Sequence, residues 1–361
     1  MAWPSWLPLR ENLRSLSPYG APQVLARASL NTNENPYSPS PALQNAITDA
    51  VAKVAADLNR YPDRDATVLR TKLAQYINEQ SGTKFSADNV WAANGSNEII
   101  QSIFLAFAQG PVLGFTPSYS MHPLIAKVTG SVWIDGKRNA DFSLNTADAV
   151  AEIHKHKPTL TFITTPNNPT GGAVAFDAIQ MLADAAQSVG GLLVVDEAYA
   201  EFSQEKSAVT LIADNPHVIV IRTMSKAFAF AGARVGYLVS DISVKDAMMI
   251  VRLPYHLSVL TQAAAEVALD HRSELLGGVS NLIAARATVV QAIHEMGLKT
   301  IPSSANFVLF TGFKQDSPQL WAALLEKGVL IRDVGLSGYL RVTIGNDAEN
   351  NLFISALKEL I

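Results

Sequence analysis

Between about Val90 and Ser240, short apolar runs alternate with segments whose apolar residues recur at helical spacing. The run at 191–195, for example, follows a helical pattern at 179–186. Alternating strands and helices favour right-handed β-α-β units, in which the strands become parallel and the helices cover the sheet. We therefore predict an α/β fold with a mostly parallel central sheet flanked by helices.

The residues after about 250 follow a different pattern. An apolar run at 307–310 precedes a helical segment that begins at Ser317-Pro318 and ends before Gly328, and strands are expected near 329 and 341. Proline in the first turn and glycine after the last turn are typical of helix ends. We expect an N-terminal arm over 1–32, a large domain over 33–250, and an interdomain helix and small α+β domain over 251–361, to which the arm contributes.

Composition restricts the possible functions. The chain has 361 residues, 48% of them hydrophobic, which suffices for two domains. Its net charge of -4 and the lack of a long Lys/Arg run do not favour nucleic acid binding. No cysteine is present and the seven histidines lack metal-ligand spacing, so no metal is expected. The N-terminal residues lack the features of an export signal, and no continuous apolar run reaches the roughly 20 residues that cross a bilayer. We expect a cytoplasmic protein with no membrane partner.

A lysine, a carboxylate and an oxyanion clamp occur in the order that a pyridoxal phosphate enzyme requires. Lys226, in Thr223-Met224-Ser225-Lys226, can hold the cofactor aldehyde as a Schiff base and act as a general base. Asp196 ends a buried-type strand, where a carboxylate needs a cation such as the protonated ring nitrogen. Ser225 and Arg234 can together hold a phosphate.

Two further polar residues fit the same cofactor. Tyr199 can donate to the ring hydroxyl and help to keep the pKa of the Schiff base low. Asn168 lies in the rigid loop at 164–172, where its amide can bond to the ring oxygen. Each residue alone also has an ordinary structural explanation, since lysines are mostly exposed and Asn, Pro and Gly dominate turns. The combination indicates catalysis.

The chain resembles the fold-type I pyridoxal phosphate aminotransferases, and among them the actinobacterial histidinol-phosphate aminotransferases. The resemblance runs from about Tyr19 to the C-terminus, and its motifs are Leu30 to Tyr37, Arg60-Tyr61-Pro62, Asn94 to Glu98, the Asn-Asn-Pro-Thr-Gly loop, Asp196 to Tyr199, Ser225-Lys226 and Leu340 to Gly345. It implies transamination of L-histidinol phosphate with 2-oxoglutarate, giving imidazole acetol phosphate and glutamate.

The resemblance also implies further contacts with the cofactor. Gly95-Ser96-Asn97 would direct backbone amides at the phosphate from the N-terminus of a helix, although Ser and Asn are also common helix caps. Thr223 belongs to the same phosphate site. Tyr119 would stack on the ring, and Tyr61 would reach the cofactor of the neighbouring subunit, which implies a homodimer with shared active sites.

Five residues are implied for the substrate. Arg332 and Arg341 match the substrate-anion arginines, which can bind a phosphate or a carboxylate by the same bidentate geometry. Tyr19 would close over the substrate, and Asn97 would contact its phosphate. Tyr255 matches a pocket aromatic, although a packed core tyrosine explains it equally well.

Three alternatives remain at this point. Aromatic amino acid aminotransferases share most of these motifs, a phospho-amino-acid decarboxylase could use the same scaffold, and a sensor could bind the cofactor without turnover. Ala229-Phe230 also stands where Gly-Leu is more usual, and Ala233 replaces a common leucine. The sequence does not predict how these three changes affect the shape of the pocket floor.

Overall fold

The computed structural model describes residues 3–361. The α-helices within this range are α1 (Pro41–Ala55), α2 (Thr67–Ser81), α3 (Ser96–Phe107), α4 (Met121–Thr129), α5 (Thr146–His156), α6 (Phe176–Ser188), α7 (Ile242–Val251), α8 (Val259–Asp270), α9 (Arg272–Glu295), α10 (Ser317–Glu326) and α11 (Asp347–Leu360). The β-strands are β1 (Ala28–Ser29), β2 (Val90–Ala93), β3 (Val112–Thr116), β4 (Trp133–Lys137), β5 (Leu160–Thr164), β6 (Leu192–Asp196), β7 (Val218–Thr223), β8 (Gly236–Val239), β9 (Lys299–Thr300), β10 (Phe307–Thr311), β11 (Val329–Leu330) and β12 (Tyr339–Thr343).

Seven strands form the central sheet in the order β2-β8-β7-β6-β5-β3-β4. The five strands from β7 to β4 are parallel to one another, whereas β8 is antiparallel to both β7 and β2. The α/β fold with a mostly parallel sheet, predicted from the alternating pattern, is therefore confirmed.

The sheet separates two hydrophobic cores. Every residue of β7 is buried, as are all but the first of β6. Val195 belongs to one core and its neighbour Val194 to the other, because successive side chains of a strand point to opposite faces. Strands covered on both faces by helices need continuous apolar runs, which is the pattern that the sequence contains.

The polar segments of interest lie where these parallel strands end. Thr164, Asp196 and Thr223 are the last residues of β5, β6 and β7, which are adjacent in the sheet. Carboxyl ends of parallel strands lie along one edge, and in open α/β sheets ligands bind there. Motifs separated by about thirty residues in sequence are thereby brought together.

The C-terminal part contains a three-stranded antiparallel sheet, β12-β10-β9. The N-terminal segment joins it, because β1 pairs with β11 and the Thr343 amide donates to the Leu30 carbonyl at 2.9 Å. Helix α10 has proline in its first turn, and Gly328, with φ of +84°, follows its end. The domain boundaries at 32 and 250 stay a prediction.

Helix α9, with 24 residues, is long and apolar enough to cross a membrane by length and composition alone. The search of the sequence for one continuous apolar run therefore did not detect this helix, which meets the criteria of length and composition. Such a helix is weak evidence for a membrane span, since core helices also meet them. In this structure α9 packs against α11 and α8, and the Arg286 guanidinium donates to the Ala305 carbonyl.

Candidate active site

A cavity of about 640 Å³ lies at the carboxyl edge of the central sheet. All the residues predicted to bind cofactor or substrate line it, except Gly95, Tyr61 and Tyr255; those lining it are Tyr19, Ser96, Asn97, Tyr119, Asn168, Asp196, Tyr199, Thr223, Ser225, Lys226, Arg234, Arg332 and Arg341. Residues that are more than 300 positions apart in sequence thus share one cavity.

Lys226 borders this cavity just beyond the end of β7. This side chain is partly buried, and its amine donates to the Thr32 carbonyl at 2.9 Å. Burial, with smaller contributions from Arg341 and Arg234 and against an opposing one from Glu34, lowers the pKa of Lys226 to about 8. A larger fraction of this lysine is therefore neutral near pH 7 than of an exposed one, and a neutral amine is both nucleophile and base.

Asp196 is almost completely buried, with 2% of its surface exposed. Its Oδ1 atom accepts a hydrogen bond from the Ala198 amide at 3.2 Å, and Oδ2 lies 3.2 Å from Nε2 of His122. His122 is itself buried on α4, between the Tyr119 ring and Phe162. A carboxylate enclosed in this way suits a cationic partner in the cavity.

An anion cradle lies at the N-terminus of α3. Gly95 precedes the helix with φ of +85°, and a Cβ atom at this position would lie 2.8 Å from Nη2 of Arg234. Ser225 and Thr223 face the same cavity, and their hydroxyl oxygens are 3.0 Å apart. Free amides at a helix start, hydroxyls and a guanidinium form a donor set for a phosphate. Gly95 thus supports this cradle through the space it leaves for Arg234.

The Tyr199 hydroxyl accepts a hydrogen bond from Nδ2 of Asn33 at 2.8 Å. Burial raises the pKa of Tyr199 to about 12. The phenol therefore stays protonated at neutral pH, and its own hydrogen is available to a cofactor oxygen.

Arg341 lies on β12 with its guanidinium 5.0 Å above the Phe307 ring. It donates to the side-chain carbonyl of Asn168 and, at 2.8 Å, to the Asn31 carbonyl. Burial lowers the pKa of Arg341 to about 10. Its buried Nε atom has no hydrogen-bond partner among the described residues, so this side chain retains a free donor.

Arg332 is joined to Arg341 through two backbone hydrogen bonds, of 2.9 and 3.0 Å, that form an isolated β-bridge. Both arginines line the cavity. This second cationic group lies on β12 and its bridge partner, whereas Ser225 and Arg234 follow β7, so two different parts of the fold supply anion-binding residues to the cavity.

Two other aromatic residues at the cavity, Tyr119 and Tyr19, are less buried than Tyr199. The Tyr119 hydroxyl donates to Oδ1 of Asn97 at 3.1 Å, and Tyr19 is 52% exposed. Tyr61 and Tyr255 lie outside the cavity and stack on each other, with ring centroids 4.4 Å apart. Tyr255 is 42% exposed, so it is not the packed core tyrosine that was the alternative, and its role as a pocket aromatic stays a prediction.

Residue Ala229, where glycine is more usual in the resembling family, has φ of +52°. This left-handed conformation explains the glycine preference, since a Cβ atom is disfavoured there. Phe230 precedes a short 3₁₀ turn whose last residue is Ala233, and Arg234 follows directly. The turn still brings Arg234 to the cavity.

A mostly parallel sheet whose carboxyl edge carries a lysine, an aspartate and an anion cradle is the arrangement of a fold-type I pyridoxal phosphate enzyme. The chain matches the family described as aminotransferase class I and II over residues 28–357, and it belongs to that family. The family predicted from the motifs is thus confirmed.

Similar proteins agree with this assignment. A protein of Mycolicibacterium smegmatis named histidinol-phosphate aminotransferase is 53% identical over 98% of this chain and 93% of its own length. One of Rhodococcus opacus with the same name is 52% identical, with coverages of 98% and 93%. Among solved structures, histidinol-phosphate aminotransferase from Sinorhizobium meliloti, in complex with pyridoxal-5'-phosphate, has a TM-score of 0.84 at 24% identity and covers 98% of this chain and 97% of its own. A mutant of Thermus thermophilus aspartate aminotransferase gives 0.83 at 19% identity, with coverages of 98% and 99%.

Proposed function

We propose that this aminotransferase transfers the amino group of L-histidinol phosphate to 2-oxoglutarate, with pyridoxal 5′-phosphate as cofactor. The observation that carries the proposal is the pair of anion sites in one cavity, both close enough to Lys226 for Arg234 and Arg341 to lower its pKa. One site suits the cofactor phosphate and the other a substrate phosphate or carboxylate. The 51–53% identity to proteins named histidinol-phosphate aminotransferase supports this substrate.

The donor set fits the cofactor. Ser225, Thr223, Arg234 and the first amides of α3 would hold its phosphate. Asp196, with His122 beside it, would keep the ring nitrogen protonated, and Tyr199 would donate to the ring hydroxyl. The remaining cofactor contacts of the proposal are those of Asn168 with a ring oxygen, Tyr119 with the ring face, and Gly95, Ser96 and Asn97 at the phosphate. Pyridoxal phosphate supplies an electron sink when it is bound.

Lys226 has two tasks in this proposal. Its amine would hold the cofactor aldehyde, and once displaced by the substrate amine it would remove the proton from the substrate α-carbon. A lowered pKa suits both tasks, because the same atom must be unprotonated to attack and to accept a proton.

Arg341 and Arg332 would bind the phosphate of histidinol phosphate in one half-reaction and a carboxylate of glutamate in the other. Histidinol phosphate has no α-carboxylate, so its phosphate takes that place. Asn97 would add a contact to the substrate phosphate, and Tyr19 would cover the substrate from the N-terminal arm.

We also propose a cytoplasmic homodimer with shared sites. The stacked residues Tyr61 and Tyr255 are 79% and 42% exposed, and Leu253 nearby is 73% exposed. A contiguous exposed apolar surface is typical of an interface. In the dimer Tyr61 would reach the partner's cofactor, and Tyr255 would be available to the partner's pocket.

The proposal is tested by steady-state kinetics of the cofactor-loaded protein with 2-oxoglutarate as acceptor. We expect kcat/KM for histidinol phosphate to exceed that for phenylalanine by at least 100-fold, with imidazole acetol phosphate as product. A preference for phenylalanine would assign an aromatic aminotransferase instead. Release of carbon dioxide from phenylalanine, or binding of both amines without turnover, would refute transamination.

A further inference from the structure

A buried charged cluster lies next to the C-terminal ends of β6 and β7, which carry Asp196 and Thr223. It consists of Arg222, Glu197 and Glu201, with the Ser207 hydroxyl completing it. Arg222 Nη2 lies 2.7 Å from Oε2 of Glu197, and Nη1 lies 3.0 Å from Oε1 of Glu201. The side chains of all three charged residues are at most 7% exposed.

The hydrogen bonds of the cluster are numerous. Ser207 donates to Glu197 Oε2 at 2.7 Å and accepts from Arg222 Nη2 at 2.9 Å. The other Glu197 oxygen accepts from the Ala208 amide at 2.7 Å, and the Tyr76 hydroxyl donates to Glu201 at 3.1 Å. Burial alone would lower the pKa of Arg222, but the two carboxylates outweigh it and hold that pKa above its ordinary value. The guanidinium is therefore permanently charged.

Position in the chain links this cluster to the active site. Glu197 follows Asp196 and Arg222 precedes Thr223, on the neighbouring strands β6 and β7. Asp196 and Thr223 line the active-site cavity, whereas Glu197 and Arg222 do not. The Arg222–Glu197 pair thus joins the two strand ends that carry the aspartate and the Thr223–Lys226 segment.

A contribution to the stability of the folded protein does not by itself explain such a cluster. A buried ion pair often contributes no more than apolar residues of similar volume, because both charges lose their hydration. The planar guanidinium of Arg222, however, makes hydrogen bonds in fixed directions. These bonds define the positions of the groups they join more narrowly than apolar packing does. A small displacement at a reacting centre costs rate, about 100-fold for 1 Å in unfavourable cases.

We propose that Arg222, with Glu197 and Glu201, is a positioning residue that sets the distance between Asp196 and the Ser225–Lys226 segment. The inference rests on the proposed function, because it requires a cofactor that both strand ends hold. Loosening the cluster should weaken cofactor binding and slow the proton transfer at Lys226, and it should leave KM for the substrate nearly unchanged.

The test compares Arg222→Lys with Arg70→Lys. Arg70 is also a buried arginine, 5% exposed, and donates to the Val90 carbonyl at 2.7 Å, but it does not line the active-site cavity. Lysine keeps the charge at each position and loses the fork. For each protein the cofactor dissociation constant, kcat, KM and the unfolding midpoint of the cofactor-free form are measured.

We expect Arg222→Lys to weaken cofactor binding and to lower kcat, each about tenfold or more. Arg70→Lys should lose stability, but its cofactor dissociation constant and its kcat should stay within about twofold of those of the original protein. Equal effects of the two variants, in proportion to their lost stability, would overturn the inference. If Arg222→Lys does not fold, Ser207→Ala decides: severalfold weaker cofactor binding supports a positioning role and unchanged binding refutes it. Failure of the unaltered protein to bind the cofactor would refute the proposed function instead.

Discussion

At the scale of single residues, Lys226 gives the folded protein a measurable pH dependence. Its pKa is about 8 in the folded state against an ordinary value of 10.5. Between these values the unfolded chain binds more protons than the folded one, so this lysine makes stability rise with pH. Well below pH 8 both states are protonated, and its contribution is constant.

We therefore expect the unfolding free energy of the cofactor-free protein to gain about 2 kcal/mol from this residue between pH 7.5 and 9.5. Lys226→Met removes the titrating group, so the comparison is the difference between protein and variant at each pH, measured by denaturant titration. A difference that does not change with pH would contradict the lowered pKa.

Arg341 provides a second prediction at this scale. Arg341→Lys keeps the charge but loses the planar fork that bonds to Asn168 and Asn31 and can bind an anion in a bidentate way, so we expect kcat/KM to fall about 100-fold for histidinol phosphate and for glutamate alike. Arg138→Lys is the control, because burial also lowers the pKa of Arg138 to about 10 but this residue does not line the cavity. A fall in kcat/KM for only one of the two substrates would show that Arg341 does not bind both.

The place of Asp196 and Lys226 at one cavity could be predicted from the sequence. Asp196 and Lys226 each come shortly after an apolar run. A buried carboxylate and a lysine at neighbouring strand ends are explained together by a single cofactor site. His122 was missed because its partner Asp196 is 74 positions away, and a lone histidine on a helix carries no signal of that contact. Asn33, 166 positions from Tyr199, was missed as its partner for the same reason.

At the scale of elements, the start of α3 is predicted to determine phosphate affinity. Gly95→Ala would force a Cβ atom to within 2.8 Å of Arg234 Nη2, and its backbone, with φ of +85° and ψ of +169°, disfavours any side chain. We expect cofactor binding to weaken at least tenfold, as measured by titration of the cofactor-free protein.

Gly130→Ala is the matched control for this change. Gly130 also has φ of +85°, but a Cβ atom there would meet nothing within 4 Å. We expect it to lose about 1–2 kcal/mol of stability through the left-handed backbone and to bind the cofactor normally. Equal weakening in both variants would mean that general destabilisation, and not the cradle, explains the effect.

The elements themselves followed the sequence pattern closely because parallel strands buried on both faces require continuous apolar runs. Helix α10 could be located from Pro318 and Gly328. The pairing of β1 with β11 joins residues about 300 positions apart, and two-residue strands carry no periodic signal from which such a pairing could be predicted.

At the scale of the whole molecule, shared active sites predict complementation between inactive chains. A hybrid of Lys226→Ala and Tyr61→Ala subunits has one site with both changes and one with neither. Random mixing of subunits should therefore give about a quarter of full activity, well above the sum of the two separate variants. Activity equal to that sum would place Tyr61 outside the partner's site.

The proposed function depends on amino transfer from histidinol phosphate at Lys226. The most direct test is a single half-reaction, in which the cofactor-loaded protein is mixed with histidinol phosphate without an acceptor, and the product and the cofactor are analysed by mass spectrometry. We predict one imidazole acetol phosphate and one aminated cofactor per active site, far faster than any reaction with phenylalanine, and none with Lys226→Ala. Equal product from Lys226→Ala, or a faster reaction with phenylalanine, would contradict this account.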